Sequence, residues 1–352
     1  MRNTSVRKLW TASTTLGFLM ATSLAVYAQA MPSLAGQDNN PSQPENEERS
    51  AETLKVNVDV VQLFFNVKDK KGGLIPNLTK DAFDISEDGK QQTIKYFTAE
   101  SNLPLTLGIL IDSSGSQARV LEMEKEVGGD FLSEILREKD EAFVISFDVT
   151  VDLLQDFTSS VHRLKNGLNS AKINTAGGGG TIGGLGGGPF PTSGVPKGTL
   201  LYDAVYLASH DQLSKEVGRK AMIILTDGVD QGSRLNLKDA VEAAQKSDSI
   251  VYVILIADRG FYGLGGYSGD SEMKKLSTET GGRVIEVGNK MDKLKEAFDQ
   301  IAQELRSQYN VGYTPTNRAK DGTFRKVEVH AKEKSYKVQA RSGYYAIATQ
   351  DQ

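Results

Sequence analysis

Leu105-Thr106-Leu107-Gly108-Ile109-Leu110-Ile111-Asp112-Ser113-Ser114-Gly115-Ser116 decides how this chain is read. An apolar run of strand length ends in one carboxylate and two hydroxyls, spaced two apart. Open α/β sheets bind ligands in the crevice beyond the carboxyl ends of their strands. These oxygens should therefore emerge where a buried strand stops. Carboxylate and hydroxyl oxygens suit a hard divalent cation, whereas a soft metal would ask for Cys or His. The chain has no Cys and three His in 352 residues, which points away from zinc or copper.

Outward from that stretch the pattern alternates between strand and helix. Residues 120–136 have helical spacing, with Val120, Val127, Phe131 and Ile135 on one side. Residues 142–147 read as a buried strand and 151–154 as its short antiparallel partner. Helices are expected at 200–213, 237–246, 273–279 and 291–306, and strands at 220–225, 250–256 and 284–287. Continuous apolar strands separated by helices indicate a mostly parallel, doubly wound α/β sheet covered on both faces. This domain is placed at residues 104–308.

On either side the periodicity is that of strands. In 53–99, Val56, Val58 and Val60 alternate, Leu63 to Val67 is β-rich, and Asp88-Gly89 is a hairpin turn signal. After Tyr309, residues 310–313, 326–331 and 337–340 read as strands. Neither piece has the strand count to stand alone. The expectation is that 53–99 and 309–347 form one small β-sandwich, with the α/β domain inserted between its two halves.

The N-terminus reads as an export signal. Arg2, Arg7 and Lys8 precede the short apolar run 16–26, and Val26-Tyr27-Ala28 and Ala28-Gln29-Ala30 are small-residue cleavage sites. The run is shorter than the roughly 20 residues needed to span a bilayer. Residues 1–30 are thus expected to be removed, leaving a periplasmic or secreted protein with no membrane span. Residues 31–52, rich in Asn, Gln, Ser, Pro and Glu, read as a linker. Removing 1–30 takes away three positive charges and no negative ones, so the net charge falls from −4 to −7. That balance argues against nucleic acid as a partner. Nine of the twelve residues 177–188 are Gly, a stretch without core-forming side chains and without the strand–glycine–helix setting of a phosphate loop.

Two further features join Asp112, Ser114 and Ser116. Ile223-Ile224-Leu225-Thr226-Asp227-Gly228 is another buried strand ending in Asp, and Thr199 precedes a helical stretch after a loop. Together they resemble the von Willebrand factor A domain and its metal-ion-dependent adhesion site. The closing Arg341-Ser342-Gly343-Tyr344-Tyr345 and the flanking β segments are similar to a group of exported bacterial proteins related to that family. The resemblance implies a metal set of Asp112, Ser114, Ser116, Thr199 and Asp227. It also implies Mg²⁺ (or another divalent cation such as Mn²⁺ or Ca²⁺) and a protein ligand that offers an Asp or Glu carboxylate. In the family, the third-loop Asp and second-loop Thr exchange direct contact with the metal between closed and open forms; Asp227 and Thr199 would do so here. Because the Gly-rich insert lengthens the second loop, Thr175 and Thr181 stand as substitutes for Thr199. N-capping is the alternative role for Thr199. Asp230, near the third loop, reads either as a residue behind the metal ligands or as a solvated side chain, the second being favoured, and Ser113 and Gly115 read as spacers.

The function expected is a non-enzymatic, cation-dependent protein-binding or adhesion module. The alternatives are a metal-dependent hydrolase or phosphotransferase, and a scaffold with a vestigial metal site. An enzyme would want a second catalytic Asp or a general base. Ser114 would need such a base to act as a nucleophile, and His162, His210 and His330 are scattered, with His210 late in a helix.

Overall fold

The structure is a computed structural model and describes residues 60–99, 103–173, 198–256 and 269–347. The expected export signal and linker, the start of the first β segment, the Gly-rich stretch and both substitute threonines lie outside the described residues.

The central strand is β5, Leu105–Asp112, every residue of which is buried. β1 to β4 precede it, at Val61–Lys68, Phe83–Glu87, Lys90–Gln92 and Ile94–Ala99. β5 pairs in parallel with β6 (Glu141–Phe147) on one side and with β8 (Arg219–Thr226) on the other. β7 (Val151–Thr158) runs antiparallel on the β6 edge, while β9 (Ser249–Leu255) and β10 (Val284–Glu286) continue the parallel sheet beyond β8. The order is β10-β9-β8-β5-β6-β7. The chain winds outward from β5 in one direction, then returns and winds outward in the other. The switch point between β5 and β8 opens a crevice at their carboxyl ends.

Strand alternation sends successive residues to opposite faces. Ile109, Ile111, Ile223 and Leu225 pack with Phe131, Leu168, Phe298 and Ile301 from helices α1 (Leu121–Ile135), α2 (Val161–Ser170) and α6 (Met291–Arg306). Leu110, Met222, Ile224 and Val253 pack with Leu201, Val205, Ala240 and Leu276 from α3 (Leu201–Leu207), α4 (Leu237–Lys246) and α5 (Asp270–Thr280). Each of the larger side chains among these contributes about 1.5–3 kcal/mol on leaving water. With both faces covered, the strands need no polar alternation, which is why they read as continuous apolar runs.

Several elements depart from the sequence pattern. α2 was not expected. Its Asn166, Gly167, Asn169 and Ser170 are weak helix formers, and it is held by Leu164 and Leu168 in the core and by the Ser160 cap, which accepts from the Arg163 amide. The stretch read as one helix at 200–213 is α3 followed by a π turn, Ala208–Gln212, and a 3₁₀ turn, Leu213–Lys215. β7 runs four residues beyond the expected 151–154.

The flanking segments interleave. β11 to β14 are Tyr309–Tyr313, Phe324–Ala331, Lys337–Ala340 and Gly343–Tyr345. One four-stranded sheet has the order β13-β1-β11-β4 and the other β14-β12-β2-β3. In each, strands from before and after the α/β part lie side by side. The β2–β3 turn has positive φ at Asp88 (49°) and Gly89 (77°), as a tight hairpin of this hand requires. Between the sheets Phe65, Phe83, Phe97 and Tyr309 form an aromatic cluster with neighbouring centroids 5.1–5.7 Å apart. The buried Glu87 carboxylate accepts from the Tyr313 and Tyr344 hydroxyls at 2.8 and 3.0 Å. The fold is thus an α/β doubly wound sheet inserted in a small β-sandwich.

α6 joins the two parts. Buried Glu304 accepts from Lys68 Nζ at 2.9 Å, Arg283 Nε at 2.7 Å and Gln339 Nε2 at 3.1 Å, and its carbonyl accepts from Asn66 Nδ2 at 2.8 Å. Lys68 and Asn66 lie on β1 and Gln339 on β13, so one side chain ties the helix to two sandwich strands.

Candidate metal centre

β5 delivers Asp112 to the switch point with its side chain fully buried. Its Oδ1 accepts from the Ser114 amide at 2.9 Å and its Oδ2 from Thr226 Oγ1 at 2.7 Å. Thr226, the last residue of β8, accepts in turn from the Gly228 amide at 3.0 Å. Asp227 follows, 2% exposed, and its Oδ1 accepts from the Val229 amide at 3.2 Å. Gly228 has φ +84°, a conformation that side chains rarely adopt, and turns the chain immediately after Asp227. Asp112 and Asp227 are close enough to act on each other electrostatically. Burial first, and the Asp227 charge second, push the Asp112 carboxyl up to about 7, against the opposing hydrogen bonds from Ser114 and Thr226.

The first loop is held as tightly as the strand that feeds it. Ser114 Oγ and Ser116 Oγ lie 3.0 Å apart, on a 3₁₀ turn over Gly115–Gln117. Ser113, read as a spacer, is more than that. Its amide donates to the Phe147 carbonyl at 2.9 Å and its hydroxyl to Asp148 Oδ2 at 3.1 Å. Asp148, at the end of β6, escaped the sequence reading although it fastens the first loop to the next.

Thr199 lies 7% exposed in a loop that joins the same cluster. Its amide donates to the Gln231 carbonyl at 3.2 Å and its carbonyl accepts from the Gln231 amide at 3.0 Å, while the Leu200 amide donates to the Asp148 carbonyl at 2.7 Å. Gly198 makes this approach possible, since a Cβ there would fall 2.4 Å from the Gln231 carbonyl oxygen. The N-cap role is not realised: the cap position of α3 is Leu200, and it has no side-chain hydrogen bond. The free amides of α3 are served by the third loop instead. Asp230 Oδ1 and Ser233 Oγ accept from the Tyr202 amide at 3.2 and 3.1 Å. Asp230 is therefore a capping partner, not a solvated side chain.

The structure brings Asp112, Ser114 and Ser116 together with the Asp227 loop, and fastens the Thr199 segment to that loop through Gln231. Two buried side chains next to this set were not singled out in the sequence. Gln117 directly follows Ser116, and Glu124 lies on α1 with no exposed surface. Burial and the charges of Asp112 and Asp227 push the Glu124 carboxyl well above its ordinary value. Among the described residues no Lys or Arg figures in the shifts of Asp112 or Glu124. Nor do three His, Cys, Asp or Glu side chains converge as a metal-binding cluster among them. An ion here would depend on two carboxylates and the neutral hydroxyls, all hard oxygen donors. That set of hard oxygen donors fits a divalent cation.

The histidines lie elsewhere. His162 Nε2 is 3.3 Å from Asn166 Nδ2 on α2, His210 stacks on Tyr206 and contacts Asp211, and His330 is on β12.

No family model matches the chain, and no curated protein matches it. Among solved structures it is similar to the conserved hypothetical protein BatB from Bacteroides thetaiotaomicron (18% identity, 58% of this chain and 100% of that one, TM-score 0.42). It is also similar to the vWF domain of the type V pili tip protein Mfa5 from Porphyromonas gingivalis (13%, 58% and 95%, TM-score 0.43). A third likeness is to proximal thread matrix protein 1 from the mussel byssus with a zinc-occupied MIDAS motif (14%, TM-score 0.46), where the match spans 61% of this chain and 48% of that one. All three lie below a TM-score of 0.5. The chain's own strand order β10-β9-β8-β5-β6-β7, with β7 antiparallel at one edge and the Asp-x-Ser-x-Ser turn at the switch point, is that of a doubly wound α/β sheet and is similar to the von Willebrand factor A-type arrangement that the sequence resembles.

Proposed function

We propose that the α/β part is a divalent-cation-dependent protein-binding module, and that it captures a carboxylate of a partner protein at the switch point. The observation that carries this reading is the pair of buried carboxylates, Asp112 and Asp227, with the Ser114 and Ser116 hydroxyls beside Asp112 and no basic side chain among those that shift it. Asp112, Ser114, Ser116, Thr199 and Asp227 would hold the ion. When bound, the cation supplies an electron-poor centre that a partner's Asp or Glu completes. Ser114 and Thr226 orient Asp112, and the Ser113–Asp148 contact fixes the shape of the first loop. Mg²⁺ is the ion proposed, with Mn²⁺ or Ca²⁺ as substitutes. Zinc, the occupant in the mussel protein, is the ion to test against them.

We place the protein outside the cytoplasm, on the basic start and short apolar run of its first 30 residues. Among the described residues no helix is long and apolar enough to cross a membrane. A pull-down from envelope extract, with Mg²⁺ or with chelator and with Asp112→Ala as control, tests the function. Capture should be lost with chelator and with the variant alike. Capture indifferent to both treatments would contradict the proposal, and Asp112-dependent turnover of a phosphoester would replace it with the hydrolase reading.

A further inference from the structure

The core-facing stripe of α1 contains a residue that no apolar core calls for. Val120, Val127, Phe131 and Ile135 are buried, and Glu124 stands at the same helical phase between the first two. It is fully buried, and neither of its carboxylate oxygens has a hydrogen-bond partner among the described residues. Gln117 is 1% exposed, and its amide oxygen and nitrogen are likewise without partners among them. Native proteins leave few buried polar side chains unsatisfied, and each one asks for an explanation. Here four such atoms lie on two side chains within one segment, one of them next to Ser116. The charges acting on Glu124 are those of Asp112 and Asp227, so its carboxyl belongs electrostatically to the candidate metal centre. It is not a member of a three-acid ligand cluster. It stands behind the ligands.

Resting on the reading of Asp112 and Asp227 as a cation site, we infer that Glu124 is an outer-sphere carboxylate of that site. With the Gln117 amide, it accepts hydrogen bonds from water ligands on the inner side of the ion. Residues behind the ligands of a metal site orient what the ion holds and tune its affinity. A third negative charge strengthens the hold on the cation without using a coordination position. It also closes the inner side of the site, so a partner approaches only from the crevice. The residue type follows: Leu at position 124 would pack better, and only a ligand justifies a carboxylate there.

The test is calorimetric titration of MgCl₂ into the chelator-stripped full chain, with thermal melts in chelator alongside. Glu124→Gln keeps shape and should weaken Mg²⁺ binding by about 10- to 100-fold. Glu124→Leu should weaken it as much and melt higher than wild type in chelator. Asp112→Ala should abolish binding. If Glu124→Gln binds within about twofold of wild type while Asp112→Ala does not bind, the role of Glu124 is refuted and the cation site stands. If wild type binds no Mg²⁺, Mn²⁺ or Ca²⁺, the cation site falls and this inference with it. Should Glu124→Gln fail to melt cooperatively, Glu124→Leu is judged by the same affinity criterion. A lower melting point for Glu124→Leu in chelator would also refute the inference, because Glu124 would then be making a structural contact.

Discussion

Stripping the cation should make the protein less stable as pH rises, and Asp112 is the reason. In the folded chain its carboxyl is pushed up to about 7 from 3.8, chiefly by burial and then by Asp227. Between those values the unfolded chain has lost the proton and the folded chain retains it. Stability therefore declines as pH rises through this window and levels off above it. The gap is about 3 pH units, and each is worth about 1.4 kcal/mol. The ceiling is thus about 4 kcal/mol, a large part of the 5–15 kcal/mol that holds a typical domain. Asp112→Asn isolates the effect. Its Oδ1 still accepts from the Ser114 amide, and its Nδ2 donates to Thr226 Oγ1 where Oδ2 had accepted. The assay is urea denaturation in chelator at pH 5, 6, 7 and 8 for both proteins. The advantage of Asp112→Asn should be about 1.5–2 kcal/mol at pH 5 and grow to about 4 kcal/mol by pH 8. With saturating Mg²⁺ the order should reverse at pH 8, because the cation replaces the proton on wild type and the variant binds it poorly. A difference that stays constant from pH 5 to pH 8 in chelator would refute the reasoning.

Three other outcomes follow from the same contacts. Glu304→Ala leaves Lys68 and Arg283 without their shared carboxylate, and should cost about 3–5 kcal/mol in denaturation. Gly108→Ala, with its Cβ 2.5 Å from Phe143 Cζ, should cost about 1–3 kcal/mol and lower the melting point without changing metal stoichiometry. Ser113→Ala frees the first loop from Asp148 and should weaken Mg²⁺ binding in titration while costing only about 1 kcal/mol in stability.

The parts of the molecule legible in the sequence are those where one physical demand acts alone. β5, β8 and β9 are covered on both faces, so burial writes them as apolar runs. The Asp112–Ser116 turn stands out as a candidate metal loop because a cation would ask for oxygen donors at fixed spacing after such a run. The β-sandwich was legible only by default, from two fragments each too small to stand, and its interleaved strand order was not. α2 was hidden because tertiary packing overrides its poor propensity. Ser113, Asp148 and Asp230 were misread or passed over because their partners are distant in sequence, and a hydrogen bond of that kind leaves no local pattern. Glu124 did leave one, as a charge in the apolar stripe of α1, but its meaning needs the two aspartates beside it.

The central claim is that Asp112 and Asp227 share one ion. Titration of Mn²⁺ into the chelator-stripped protein, followed by the electron paramagnetic resonance of the free ion, tests it most directly. One Mn²⁺ should disappear from solution per chain, and none with Asp112→Ala or Asp227→Ala. Uptake that is absent in wild type, or that survives both substitutions, would contradict the account.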